Sequence, residues 1–196
     1  VDINRPLLRL ALTHRSFAFE HGEPHNERLE FLGDSVLGFI TADKVFREFP
    51  DSREGDMSRM KTFAVSEKAL ASIARELGLG EFLRLGRGED LSGGRDKDSI
   101  LSDTVEALIA ATYLQHGMEP TRRIVERLVA GKIEDASVLG EFKDREGTLV
   151  SGVVQQGNNP RMVQVDLGTV EAVLPGNEQV PGEKYPHGTR LRAYLV

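Results

Sequence analysis

Three acidic residues occur at helical spacing in the segment NERLEFLGDSVLGFI. At about 100° per residue, Glu27, Glu30 and Asp34 fall within an arc of about 60° on one helix face. Most of the remaining circumference is apolar, which is typical of a buried helix. Like charges four residues apart destabilise a helix by roughly 0.2–0.5 kcal/mol at the surface, and burial raises that cost. A bound cation would relieve the repulsion.

A second segment, SILSDTVEALIAATYL, repeats this arrangement with Asp103 and Glu106 three residues apart. The small residues Ala107 and Ala110 flank the pair and would let another helix approach closely. If the two helices pack together, four carboxylates converge, and oxygen-only ligands suit Mg²⁺ or Mn²⁺ rather than zinc. Such a site can activate water and stabilise an in-line phosphoryl displacement. A single acidic pair at helical spacing is more often a solvated face, so the pattern leaves both interpretations open.

The elements that would position these carboxylates are helices, and a different type of structure follows them. Residues 1 to about 138 carry apolar side chains at three- and four-residue spacing, which predicts a helical domain. From 141 to 196, short alternating segments separated by Gly, Asn and Pro predict the strands of a small barrel. The expected fold is therefore mainly α, with a helical domain at 1–138 and an all-β domain at 141–196. The predicted helices span 6–13, 26–49 with Asn26 as cap, 66–80, 99–115 and 120–131, with another from about 56 and a glycine-rich loop at 86–94.

Composition excludes several classes of protein. The 196 residues include no cysteine, which excludes disulfides, thiolate metal sites and a cysteine nucleophile. The net charge of −6 argues against a protein that holds nucleic acid by bulk positive charge alone. No apolar run approaches the roughly 18 residues that a membrane span requires, and no N-terminal signal pattern is visible. A cytoplasmic protein with no membrane partner is expected.

The helical part resembles bacterial ribonuclease III in four segments, in order and at the spacing of that family. They are ALTHRS at 11–16, NERLEFLGDSVLG at 26–38, EGDMSRMK at 54–61 and DSILSDTVEALIAATYL at 98–114. The resemblance implies an all-helical catalytic domain that works as a homodimer. It also implies Mg²⁺-dependent cleavage of double-stranded RNA, of the rRNA and mRNA processing type, which leaves 5′-phosphate and 3′-hydroxyl ends.

The resemblance carries roles over to particular residues by position. The implied catalytic residues and metal ligands are Glu30, Asp34, Asp103 and Glu106. Glu27 and Glu54 would complete the acidic cleft, with Glu54 supplied by the partner subunit.

Other residues of the helical part have two interpretations each. Phe31 is either a dimer-interface side chain or part of the core. His14 either contacts a substrate phosphate or caps and packs a helix end. Arg87, Arg95 and Lys97 lie in a flexible, glycine-rich stretch that suits phosphate contacts, although a solvated loop is the commoner case.

The C-terminal part resembles the S1 domain of the transcription factor NusA, an OB-fold, over about 55 residues. EGTLVSGVVQ, MVQVDLG, VEAVLP and VPGEKYPHGTRLRAYLV resemble its first four strands, and the last strand is expected to be missing. OB-folds stack single-stranded bases on aromatic residues over a basic groove, but residues 141–196 hold 6 basic and 7 acidic residues. Contacts to single-stranded RNA or RNA polymerase, and a role as a spacer, therefore both remain open. The residues placed to meet phosphates are Arg161, Lys184, Arg190 and Arg192.

Two functions follow from these observations. The first is a Mg²⁺-dependent endoribonuclease that acts on double-stranded RNA. The second is an RNA-binding, transcription-associated protein whose OB-fold contacts nascent RNA or RNA polymerase. Four converging carboxylates favour the enzyme, because a protein that only binds RNA has no need of them.

Overall fold

The computed structural model describes residues 2–143, 147–155, 157, 162–168 and 170–196. The chain divides into two compact units, Val1–Ser137 and Val138–Val196. In the part of the chain so described, no helix is both long enough and apolar enough to cross a membrane.

The first unit is helical, as its apolar spacing predicts. Asn4 caps the first helix by accepting a hydrogen bond from the backbone N–H of Leu7 at 2.9 Å, and Ser66 caps the fifth through Ala69. The helices are α1 Arg5–Ala11, α2 Arg15–His21, α3 Glu27–Glu48, α4 Glu54–Ala64, α5 Glu67–Glu76, α6 Arg87–Leu91, α7 Asp98–His116 and α8 Met118–Lys143, with 3₁₀ turns at Leu79–Phe82 and Gly94–Asp96.

Helices α3 and α7, which carry the acidic pairs, pack against each other at the centre of this unit. Leu37 and Ile40 of α3 and Leu101 and Val105 of α7 are buried in one hydrophobic core. Gly33 makes the approach close, because a Cβ added there would lie 1.8 Å from the backbone oxygen of Glu106. The two backbones are therefore in direct contact beside the acidic residues.

Helix α8 is longer than the predicted 120–131 and continues through Gly131 to Lys143. A glycine inside a helix costs roughly 1 kcal/mol relative to alanine. A stripe of apolar residues at three- and four-residue spacing runs along α8 on both sides of Gly131. All four of its members are buried: Val125, Val129, Ile133 and Ala136. Burying that stripe outweighs the cost of the glycine, so the prediction that the helix ends near Gly131 is wrong.

The glycine-rich stretch at 86–94 is more ordered than a solvated loop. It contains the short helix α6 and leads into a 3₁₀ turn. Lys97 pairs with Glu89 at 2.5 Å, and Arg95 pairs with Asp90 at 2.7 Å. Arg95 also donates hydrogen bonds to the carbonyls of Gly80 and Leu83, both at 3.0 Å. These contacts hold the segment against the body of the domain.

Helix α2 was not predicted, and Asn26 is not the predicted side-chain cap of α3. The C-terminus of α2 is formed by Gly22, whose φ of 66° suits a glycine. Asn26 precedes α3, but its amide donates a 3.1 Å hydrogen bond to the carbonyl of Ala11. Asn26 therefore ties α3 to the end of α1 instead of capping its own helix.

The second unit contains an antiparallel sheet, which confirms the predicted strands. The described strands pair in the order β3-β2-β1-β4, so β1 lies between β2 and β4. Val150, Val154 and Val165 are buried on one face of the sheet. The strands are β1 Leu149–Gln155, β2 Met162–Asp166, β3 Glu171–Pro175 and β4 Arg190–Tyr194.

Candidate active site

Three carboxylates from two helices converge in the helical unit. One oxygen each of Glu30 on α3 and of Asp103 and Glu106 on α7 lie within 4.8 Å of one another, and all three residues are partly buried. Gly33 allows this arrangement, because the close contact of α3 with the backbone of Glu106 brings the two acidic faces together. We call Glu30, Asp103 and Glu106 the acidic cluster. Its spacing and its oxygen donors fit a hard divalent cation.

Asp34, the fourth ligand that the sequence implies, lies beside this cluster but outside the 4.8 Å group. It is exposed and follows Glu30 by about one turn of α3. Its negative charge is close enough to raise the pKa of Glu106. The structure therefore brings three of the four predicted ligands into one group and places the fourth within electrostatic range.

The electrostatics of the cluster favour cation binding. Burial raises the pKa of Glu106 to about 8, and the charges of Asp34, Asp103 and Glu30 add to the increase. Burial is also the main cause of the raised pKa values of Glu30 and Asp103. Each of the three sites therefore holds its proton more strongly than a free carboxyl group does. A divalent cation would compete with these protons and relieve the repulsion.

Glu27 and Glu54, the two further acids implied by the resemblance, lie in different places. Glu27 is exposed at the start of α3, and its charge helps to raise the pKa of Glu30. Glu54 accepts a 2.8 Å hydrogen bond from Ser58 at the start of α4. It is not among the groups that shift the pKa of any member of the acidic cluster. Of these two acids, therefore, Glu27 is the one whose charge acts on the cluster of its own chain.

The basic residues predicted to meet phosphates fall into two groups. Arg95 and Lys97 are held in the ion pairs described above, so both have a structural role. The Arg87 side chain is exposed, and within the described residues it has no ion-pair partner. His14 precedes α2 as its N-cap and accepts a 3.3 Å hydrogen bond from the backbone N–H of Ser16. The structure thus shows His14 in the capping role, and its contact with a substrate phosphate stays a prediction.

Phe31 lies on α3 with 78% of its surface exposed. The interpretation of Phe31 as a core residue is therefore wrong. Phe39 and Phe46, on the same helix, are also exposed, and at 100° per residue the three share an arc of about 80°. A row of exposed phenylalanines on one helix is typical of a surface that binds another protein.

Two of the four C-terminal basic residues predicted to meet phosphates lie on strand β4, where exposed and partly buried side chains alternate. Arg190 and Arg192 are exposed on β4, on the same face as Tyr194. Lys184 is exposed in the preceding segment, and Arg161 lies outside the described residues.

Three residues at the site were not identified from the sequence, and one of them is Glu67 at the start of α5, whose charge helps to raise the pKa of Asp103. Arg15 begins α2, and its charge lowers the pKa of both Glu30 and Asp103 against the effect of burial. The motif ALTHRS contains it, but without a predicted α2 nothing placed it near the acids. The sequence could have indicated Gly33 as a position of close helix packing. Like Ala107 and Ala110, it is a small residue beside an acidic face.

Comparison with known proteins gives one family. A family model described as Ribonuclease-III-like matches residues 4–133. Ribonuclease 3 of Corynebacterium jeikeium is 52% identical over 151 residues, which is 76% of this chain and 62% of that protein. The protein of the same name from Corynebacterium diphtheriae is 48% identical over 193 residues, covering 97% of this chain and 76% of that protein. The chain thus spans less than two thirds of some of these relatives and about three quarters of others.

Solved structures agree with this comparison. The nuclease domain of ribonuclease III from Campylobacter jejuni is 42% identical, with a TM-score of 0.62, over 66% of this chain and 88% of that one. That structure is described as flexible in a region involved in dimer formation. Dicer from Pichia stipitis is 25% identical, with a TM-score of 0.54, over 91% of this chain and 90% of that one.

Proposed function

Because the chain belongs to the ribonuclease-III-like family, we propose that it is a cytoplasmic endoribonuclease that cleaves double-stranded RNA. The observation that carries this proposal is the convergence of Glu30, Asp103 and Glu106 on one point between two buried helices. A helical protein has little reason to gather three carboxylates with raised pKa values unless they bind something positive. The products would carry 5′-phosphate and 3′-hydroxyl ends.

The cofactor we propose is Mg²⁺, with Mn²⁺ as a substitute. Glu30, Asp103 and Glu106 would hold the ion, with Asp34 as a fourth ligand. When bound, the ion would lower the pKa of a coordinated water and stabilise negative charge on the phosphate. All four residues offer only carboxylate oxygens, which is the donor set that Mg²⁺ and Mn²⁺ prefer.

The residues of the cluster have a further task, which is to control a proton. With a pKa of about 8, the Glu106 carboxyl group keeps its proton at neutral pH in the metal-free protein. Ligand oxygens must be deprotonated to bind a metal, so ion binding releases protons. Cleavage should therefore require more Mg²⁺ at low pH than at high pH.

We propose that the active form is a homodimer in which each subunit cuts one strand. The exposed phenylalanines of α3, with Phe31 the most exposed, supply an apolar surface for a second copy. Glu54 does not shift the pKa of any member of the acidic cluster of its own chain, which is consistent with its serving the cluster of the partner. A two-fold interface uses the same patch on both subunits.

For the C-terminal unit we propose an OB-fold of the S1 type, within a domain at 141–196 that follows a catalytic domain at 1–138. The pairing of β1 with both β2 and β4 supports this proposal. Arg190, Arg192 and Tyr194 on one exposed face favour a second, RNA-binding function, toward single-stranded RNA or a transcript at RNA polymerase.

The enzymatic proposal is tested by incubating the purified chain with a labelled RNA duplex, with Mg²⁺ or with EDTA. Cleavage should need Mg²⁺, and Glu106→Gln should abolish it while leaving the helical circular dichroism intact. Glu134→Gln, at an exposed carboxylate of α8, is the matched control and should cleave normally. Cleavage in EDTA, or normal cleavage by Glu106→Gln, would contradict the proposal.

The RNA-binding proposal has a separate test. Binding of the intact chain to a labelled single strand is compared with that of the double variant Arg190→Gln, Arg192→Gln. We expect weak binding that the double variant abolishes. Equal binding by both proteins would leave the sheet without this function.

A further inference from the structure

Arg122 of α8 contacts two residues of α3 that lie one helical turn apart. Its Nη1 lies 2.5 Å from a carboxylate oxygen of Asp43. Its Cζ, at the centre of the guanidinium, lies over the Phe39 ring at 5.9 Å from the ring centroid. Residues four apart are neighbours on a helix surface, so one guanidinium can meet both. Arg122 therefore joins α8 to the row of exposed phenylalanines on α3.

Ion pairs fix the Arg122 guanidinium against α3. The Asp43 carboxylate also accepts a 3.0 Å hydrogen bond from Nε of Arg47, so it lies between two arginines. On α8, carboxylate oxygens of Glu126 and Glu119 lie 3.7 and 3.9 Å from nitrogens of Arg122. Only about a fifth of the side-chain surface of Arg122 and of Asp43 is exposed. The guanidinium is thus paired, mostly buried and held in one place.

Phe39 is accessible, in contrast to the arginine that lies over it. More than half of its surface, 55%, is exposed. Together with Phe46 and Met57 it lines a groove of about 340 Å³, and it belongs to the apolar surface of α3 that the homodimer proposed above would use. Phe39 therefore offers apolar surface to a second copy while one contact of its ring is already made within its own chain.

We propose that Arg122 is a positioning residue for the homodimer, because it holds the Phe39 ring in the orientation that a second copy meets. This inference rests on the proposed homodimer. A side chain that must be immobilised on association reduces affinity, and one that is already held in the free subunit avoids that cost. The attraction between a guanidinium and an aromatic ring also strengthens when water is removed, as it would be when a second copy covers Phe39.

A purely structural role would use the same contacts. In that case Arg122 would tie α8 to α3 and contribute to the stability of each subunit, and its effect on association would not depend on the Phe39 ring. The positioning role requires that dependence. A double-mutant cycle on the dissociation constant of the dimer measures the dependence directly, because residues that act through each other give non-additive effects.

The experiment is sedimentation equilibrium of the intact chain. Arg122→Lys keeps the positive charge that faces Asp43 and loses the planar group that lies over the ring. We expect the dissociation constant of the dimer to rise roughly tenfold, about threefold for each of the two copies of the contact in a two-fold interface. Phe39→Leu keeps an apolar side chain and removes the ring. Added to Phe39→Leu, Arg122→Lys should change the dissociation constant by less than about twofold.

Two controls accompany the cycle. Arg123→Lys, at the exposed neighbouring arginine of α8, should leave the dissociation constant unchanged. Phe39→Tyr keeps the ring and should keep the full effect of Arg122→Lys. Far-ultraviolet circular dichroism checks that each variant keeps its helices.

The outcomes separate the two proposals. A dissociation constant that Arg122→Lys leaves unchanged, or raises equally with and without the Phe39 ring, would overturn the positioning role. A wild-type chain that is monomeric at micromolar concentration would instead overturn the homodimer itself.

Discussion

The raised pKa of Glu106 makes a specific prediction about stability. The folded-state pKa is about 8, set first by burial and then by the charges of Asp34, Asp103 and Glu30, whereas the same carboxyl group in the unfolded chain has its ordinary pKa of 4.5. Between these two pH values the folded state binds more protons than the unfolded state. The free energy of unfolding of the metal-free protein should therefore fall as the pH rises from about 4.5 to about 8. The contribution is fully present below that window and lost above it.

The size of the effect follows from the same two pKa values. At 1.36 kcal/mol per pKa unit, the interval from 4.5 to about 8 gives an upper bound of about 5 kcal/mol. Glu106 is partly exposed and titrates together with its neighbours, so solvent screening reduces the expected loss to about 2 kcal/mol. Glu106→Gln keeps the shape of the side chain and removes the charge. It should therefore be about 2 kcal/mol more stable than the wild type above about pH 8, and similar to it near pH 5.

The assay is urea unfolding in EDTA across this pH range, followed by far-ultraviolet circular dichroism, which reports the helical unit. Glu134→Gln, the exposed control on α8, should follow the wild type at every pH. Millimolar Mg²⁺ should then stabilise the wild type near pH 8 and have little effect on Glu106→Gln, because a ligand that binds only the folded state stabilises it. A stability difference between Glu106→Gln and the wild type that does not grow with pH would refute the reasoning.

Three further predictions concern packing and assembly. Gly33→Ala should destabilise the protein by roughly 1–3 kcal/mol in urea unfolding, because the new Cβ would collide with the backbone of Glu106. Gly131→Ala, where nothing lies within 4 Å, should be neutral or slightly stabilising; equal effects would contradict the packing argument. Phe31→Asp should convert a dimer into a monomer in sedimentation at micromolar concentration, and an unchanged dimer would place the interface elsewhere. Residues 141–196 expressed alone should unfold well below about 60 °C, and a transition above that temperature would show that the sheet is stable by itself.

The acidic cluster was predictable because helical periodicity is a strong signal over long apolar segments. Both α3 and α7 are apolar around most of their circumference, so a narrow acidic arc stands out on each. Neither segment alone predicts that the two acidic arcs lie next to each other. Their proximity depends on Gly33, whose importance becomes visible only when α7 is placed against it.

Helix α2 was not predicted, and the end of α8 was predicted too early, for the same reason. In both cases tertiary contacts override the signals in the local sequence. Gly131 lowers the helix propensity of α8, but the buried stripe around it continues to Ala136. Helix α2 is only seven residues long, and it is stabilised from outside by stacking of the Arg84 guanidinium on Phe17, 4.0 Å from the ring centroid. Arg84 lies 67 residues further along the chain, so no local pattern could have predicted this contact.

The acidic cluster and the fold that positions it make opposite demands on the same helices. Apolar packing of α3 against α7 requires a dry interface, while Glu30, Asp103 and Glu106 place up to three charges at its edge. The protein reduces this conflict by protonation, since burial keeps the carboxyl groups neutral to higher pH. A cation that displaces those protons leaves the carboxylates negatively charged, and its own positive charge compensates theirs. The core thus holds the site rigid, while the repulsion among its carboxylates stays uncompensated until a cation binds. Part of the binding energy for the cation therefore comes from relief of repulsion already present in the folded chain.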